Sequence, residues 1–260
     1  MNRIIFLFMI ILIITSCVSE QKIVEKKEIK KIEKMSLPAW IYELPPGDNF
    51  IIGIAGKSIY EDQMKDAAKQ MAAVMHSRNR SSYTISKRAA TDKEDYLGGG
   101  SAGFNLNVSS SPEETRRIYD SLVTLDEVDY YGYFITLYSD GKAILSDKYK
   151  KRYVANSPKW FENNGLKLDG DIILSYASTS SSDLITAWEN AAEQARFEIA
   201  EYLEKNVQSS LTNKNDQIEK KYAIETRRKL SHLKISRSFI TSQLYDNLRS
   251  YKVYLELTAK

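Results

Sequence analysis

Phe50-Ile51-Ile52-Gly53-Ile54-Ala55 is a short, nearly continuous apolar run, closed by Gly56-Lys57. A run of this length and evenness reads as a buried strand. Ser58 follows, with Glu61 three residues on, in the pattern of a capping box that opens a helix. Met64, Ala67, Ala68, Met71 and Met75 then recur at helical spacing and form one apolar face. The small alanines let this helix lie close on a sheet. A Met-lined face is read as core rather than as a ligand groove. Strand followed at once by small-faced helix therefore sets the expectation of a helix laid across a sheet.

The same order returns downstream. Ser157-Pro158-Lys159-Trp160 matches Leu37-Pro38-Ala39-Trp40, and Asp171-Ile172-Ile173-Leu174-Ser175-Tyr176-Ala177 stands where the first strand stood. Ser180 and Asp183 repeat the helix start, and Ala191-Ala192-Glu193-Gln194-Ala195 matches Ala67-Ala68-Lys69-Gln70-Met71. Leu184, Trp188, Ala191, Ala192, Ala195, Ile199 and Leu203 form a longer apolar stripe than its first-half partner. The repeated order implies a duplication, too long for a solenoid unit. Four spans are expected: 1–16, 17–36, 37–150 and 151–260, the last two being similar α+β domains. Each would be a long helix packed on a small antiparallel sheet, in the order strand-helix-strand-strand. The charge run Lys148-Tyr149-Lys150-Lys151-Arg152 marks the boundary between them.

The connecting stretches are less regular. Residues 88–113 are rich in Ser, Thr, Asn and Gly, and Gly98-Gly99-Gly100-Ser101-Ala102-Gly103 formally matches G-x-G-x-x-G. A dinucleotide site needs a strand before that motif and a helix after it. Here a charged stretch precedes it and an alternating, strand-like one follows, so it is read as a loop. Ser111-Pro112-Glu113-Glu114 starts a short helix. Val128 to Tyr138 reads as a strand, Ser139-Asp140-Gly141-Lys142 as a tight hairpin turn, and Ala143-Ile144-Leu145 as its return. Residues 216–231 read as helical, and Ile235–Tyr245 and Tyr251–Leu257 as two closing strands.

The amino terminus has a different character. Arg3 precedes eleven apolar residues, Ile4 to Ile14, and then Thr15, Ser16 and Cys17, the only cysteine. Charged start, short apolar centre and small residues at the end are the marks of a secretory signal. The apolar run is too short to span a membrane as a helix, which takes about 20 residues. Ile14-Thr15-Ser16-Cys17 resembles the lipobox of bacterial lipoproteins. The resemblance implies cleavage after Ser16, a diacylglyceryl group on the Cys17 sulfur and a fatty acyl group such as palmitate on the new amine. At roughly 0.8 kcal/mol per buried CH₂, each chain contributes on the order of 10 kcal/mol, and two chains hold a protein on a bilayer. Val18 and Ser19 follow, without the Asp that resembles an inner-membrane retention signal, so an outer-membrane lipoprotein is expected. Residues 18–36 hold six lysines and four glutamates and read as a solvated tether, with a reach on the order of 60 Å.

Composition narrows the function. The 260-residue chain carries +3, and loss of Arg3 with residues 1–16 leaves +2. So small a charge gives no electrostatic reason to expect nucleic acid. Neither His76 nor His232 has a cysteine or a nearby carboxylate at ligand spacing, so no metal or other cofactor is expected. No Gly-x-Ser-x-Gly elbow is present, and no catalytic residue is assigned. Trp40 and Trp160 are expected to be equivalent structural plugs at the start of each unit.

Pro38-Ala39-Trp40, Gly53-Ile54-Ala55 and the alanine-rich helix resemble the LPP-twenty lipoprotein family, and Trp160, Tyr176-Ala177 and Ala191-Ala192-Glu193-Gln194-Ala195-Arg196 resemble it again. Leu174-Ser175 departs from the pattern, standing where a glycine is usual. Members are bacterial envelope lipoproteins without catalytic residues, related to the amino-terminal domain of a flagellar assembly protein. The resemblance implies a non-enzymatic structural or binding role with an envelope protein partner. A flagellar or secretion assembly accessory, and a lipid-anchored periplasmic enzyme, stay open as alternatives.

Overall fold

Short extended pieces lead the chain into its folded part. The computed structural model describes residues 31–47, 49–89, 107–109, 111–141, 143–211, 223–245 and 248–259. Lys31–Glu33 is β1, Leu37–Pro38 is β2 and Ala39–Tyr42 is a single helical turn, α1. Phe50–Gly56 (β3), Glu61–Arg80 (α2) and Ser81–Ala89 (β4) follow. Next come Asn107–Ser109 (β5), Pro112–Ser121 (α3) and the hairpin of Leu122–Tyr130 (β6) with Tyr133–Asp140 (β7). Asp147–Lys150 (α4) and Arg152–Tyr153 (β8) lead to Gly165–Asp169 (β9), Ile172–Ser181 (β10) and Leu184–Leu211 (α5). Ala223–Ser231 (β11), Lys234–Tyr245 (β12) and Leu248–Ala259 (β13) complete the order.

The fold is mixed α/β, with few helices and several antiparallel sheets. The sheets run β1-β12-β13-β10-β9, β3-β7-β6, β11-β4-β5 and β2-β8. Residues 31–260 form one compact unit. Sheet β3-β7-β6 is covered on both faces. Ile51, Ala55, Phe134 and Tyr138 pack with Met64, Ala68 and Ala72 of α2 and Ile118 of α3. Ile52, Ile54, Ile135 and Leu137 join a larger core that includes Trp40, Trp188 and Ala191 of α5, and Val253 and Leu255 of β13. Burial on both sides explains why Phe50–Ala55 lacks the polar alternation of a half-exposed strand. It also means that residues 37–150 and 151–260 share a core.

Gly53 sets the distance between α2 and its sheet. A Cβ there would lie 2.1 Å from the Ala68 carbonyl oxygen and 2.9 Å from Tyr138 Cε2. Only a residue without a side chain allows this approach. The edge of β3 is closed by α2 as well, since the Ile54 N–H donates to Met71 Sδ at 3.0 Å. In β10, Ser175 is fully buried and its hydroxyl donates to Glu198 of α5 at 3.0 Å.

Several local expectations change. Ser58 does not cap α2: its hydroxyl accepts the Tyr60 N–H at 3.2 Å, and the helix begins at Glu61. Ala67 is exposed, and Ala72 and Ala73 are buried in its place. The first hairpin turns at Tyr131-Gly132, with φ of 42° and 88°, a pair of left-handed residues as a type I′ turn requires. Tyr131 is held there by the Tyr251 hydroxyl, which donates to its carbonyl at 2.7 Å, and by Arg249, 4.1 Å over its ring. Asp140-Gly141 therefore ends β7 instead of reversing it, and residues 143–146 form no return strand. On α5 the cap is Asp183, whose carboxylate accepts the Thr186 N–H at 2.8 Å. Residues 223–231, expected to be helical, pair with β4 from Ala223↔Ala89 to Ser231↔Ser81, a case of cross-strand pairing overriding local pattern. The expected tether also ends early, because Lys31–Glu33 pair with Leu244–Ser242 of β12. The signal and lipobox, the Gly98–Gly103 hexad and the Asp246-Asn247 turn lie outside the described residues.

Candidate functional site

Along β13, Val253, Leu255 and Leu257 point to α5 and are fully buried, while Lys252, Tyr254 and Glu256 alternate to the outer face. Register places Tyr254 opposite Phe239 of β12 and Glu256 opposite Tyr176 of β10. The turn at Pro158–Phe161 lays two more rings over this face. Trp160 is 6.1 Å from Tyr176 and 6.0 Å from Phe161, and Phe161 is 4.9 Å from Tyr254. The series continues through Phe239 at 5.9 Å to Tyr42 at 5.9 Å and ends on Tyr153 at 4.8 Å. Seven rings thus form one connected ladder, most of them half-buried. Such rings offer broad contact area with little conformational entropy to lose. Glu256 lies buried among them, accepting the Ser236 hydroxyl at 2.5 Å and facing Arg237 at 3.6 Å. Burial, and then the nearby Glu256 carboxylate, raise the Tyr176 phenol above its ordinary value.

Two polar clusters lie deeper. At the end of β7, Asp140 accepts the Ser121 hydroxyl at 2.6 Å and Arg80 at 2.5 Å, with His76 Nε2 3.6 Å away. A hydrolytic triad needs the imidazole between hydroxyl and carboxylate. Here the carboxylate stands between the other two, so the group ties β7 to α2 and α3. Burial and the Arg80 charge push the His76 pKa down to about 4. His76 and Trp188 line a cavity of about 20 Å³, room for roughly one water. Their ring nitrogens Nε2 and Nε1 have no hydrogen-bond partner among the described residues.

The second cluster joins α2 to α5. Arg196 is fully buried and donates to Asn79 Oδ1 at 3.2 and 2.6 Å, to the Met75 carbonyl at 3.4 Å and to Glu193 at 2.8 Å. Arg78 pairs with the same Glu193 oxygen at 2.8 Å.

The two tryptophans read as equivalent stand in different surroundings. Trp40 sits on α1, fully buried, and donates to Asp126 at 2.8 Å. Trp160 sits in a turn and is partly exposed. Trp188 was legible as one member of an apolar stripe, but its cavity was not. Arg196 was legible only as the last residue of the Ala191–Arg196 motif, with nothing to mark it as buried, and Asn79 carried no signal. His232 lies in the turn between β11 and β12 at a φ of 57°, and no group of three metal-ligating side chains occurs among the described residues. No described helix is long and apolar enough to cross a membrane. No family model, curated protein or solved structure matches this chain.

Proposed function

We propose that this chain is a lipid-anchored envelope lipoprotein that works by binding and not by catalysis. The observation that carries the reading is Ile14-Thr15-Ser16-Cys17 at the end of an eleven-residue apolar run. In this account residues 1–16 are removed, Cys17 carries the lipid and the body hangs from residues 18–30 at the outer membrane. The resemblance to LPP-twenty lipoproteins points the same way, and the half-buried aromatic ladder supplies a recognition surface for an envelope protein partner.

The account also takes the two halves as descendants of one strand-helix-strand-strand unit. The order β10-β13-β12 parallels β3-β7-β6, and α5 follows β10 as α2 follows β3, which supports the duplication. The copies would then have merged their cores, with Arg196 joining the two helices. Cys17→Ser tests the anchor: the exported variant should move to the soluble fraction. Retention in the membrane fraction at wild-type levels would show that something other than Cys17 holds it.

A further inference from the structure

The basic run between the halves is not a linker. Ala39 N–H donates to the Lys151 carbonyl at 2.8 Å, Leu37 and Pro38 pair with Tyr153 and Arg152, and Lys34 donates to Asn156 at 2.9 Å. Residues 151–156 are therefore hydrogen-bonded to residues 34–39, which directly follow β1. Lys148, Lys150, Lys151 and Arg152 are all exposed. Beside them in the chain are three large apolar side chains open to solvent: Ile144 at 92%, Tyr153 at 46% and Val154 at 45%. Nearby acids offset only part of the charge: Asp147 lies 3.7 Å from Lys150, and Glu43 faces Tyr153.

We infer that this segment is a lipid-docking face, which seats the body on an anionic bilayer once Cys17 is anchored. The inference rests on the anchor reading above. Three things favour a bilayer as occupant. Thirteen residues, 18–30, separate Cys17 from β1, so the leash is at most on the order of 45 Å. The segment bonded to residues 34–39, within a few residues of the end of that leash, is the one with four basic residues in five positions. Exposed apolar and tyrosine side chains among basic ones are the composition of an interfacial surface. A basic residue near an anionic surface contributes about 1 kcal/mol, so Lys150, Lys151 and Arg152 together shift the docked equilibrium about a hundredfold.

The test uses the full mature lipoprotein with lipid in excess. Vesicles of phosphatidylglycerol and phosphatidylcholine are compared with vesicles of phosphatidylcholine alone. A water-soluble amine-acylating reagent reports exposure of Lys148, Lys150 and Lys151, with exposed Lys57 as internal reference. Docking predicts labelling reduced at least fivefold on the anionic vesicles only, and restored by high salt. In K150Q/K151Q/R152Q, which alters only exposed side chains, Lys148 should stay labelled on both vesicle types. Equal labelling on the two vesicle types would overturn the docking face. Flotation reports the anchor separately: protein that fails to float with neutral vesicles refutes the lipid on Cys17, while the labelling ratio still decides the face.

Discussion

Arg196→Met is the substitution that probes the junction of the halves most sharply. The methionine roughly conserves volume but removes every donor. Asn79 Oδ1 loses both of its guanidinium bonds, at 3.2 and 2.6 Å, and the Met75 carbonyl loses one at 3.4 Å. Glu193 keeps Arg78 at 2.8 Å, so no carboxylate is left alone. A buried acceptor without a partner costs about 1–3 kcal/mol. The Met75 carbonyl keeps its bond within α2, so one acceptor is orphaned; with the Glu193 bond also lost, and less the gain from removing a charge that burial disfavours, the net loss is about 2 kcal/mol. Urea unfolding followed by tryptophan fluorescence reads this as a lower midpoint at unchanged slope. Arg196→Met/Asn79→Leu removes the main orphan and should recover at least about 1 kcal/mol, as whole buried polar groups often tolerate apolar replacement. A single variant within about 0.5 kcal/mol of wild type, or a double variant no better than the single, would refute the clamp.

Other outcomes follow from the same geometry. His76 is neutral when folded, with a pKa of about 4 against the ordinary 6.5. The unfolded chain therefore binds the extra proton between those values, and stability falls as pH drops from about 6.5 to about 4, by about 3 kcal/mol in all. His76→Gln should flatten that part of the stability–pH curve relative to wild type, and an unchanged slope would show that His76 is not its source. Gly53→Ala should cost about 3 kcal/mol, since the helix backbone at Ala68 must shift; a melting temperature equal to wild type would contradict the close packing of α2. Trp40→Ala should cost roughly 3–5 kcal/mol and Trp160→Ala roughly half as much, by calorimetry. Equal losses would restore the equivalence read from sequence.

What was legible in the sequence follows from where side chains go. Phe50–Ala55 announced itself because both its faces are buried, and β13 because one face is. The α5 stripe from Leu184 to Ile199 was clear because those residues fill one core. The turn at Tyr131-Gly132 was hidden because tyrosine rarely takes positive φ, and tertiary contacts from Tyr251 and Arg249 impose it. Strand β11 was hidden because its partner, β4, lies more than a hundred residues earlier. The aromatic ladder was half visible: Trp160 and Tyr176 stood out, but joining Tyr42 and Tyr153 to Tyr254 needed the β2–β8 and β12–β13 pairings. The pairing of Arg196 with Asn79 was invisible because its meaning lies wholly in the contact between α2 and α5.

The anchor is the claim on which the function turns, and intact-mass analysis of the protein extracted from membranes tests it most directly. The account predicts a chain beginning at Cys17, heavier than residues 17–260 by a diacylglyceryl group and a fatty acyl group, with both modifications on the amino-terminal peptide. A chain that retains residues 1–16, or a Cys17 with a free thiol, would contradict it.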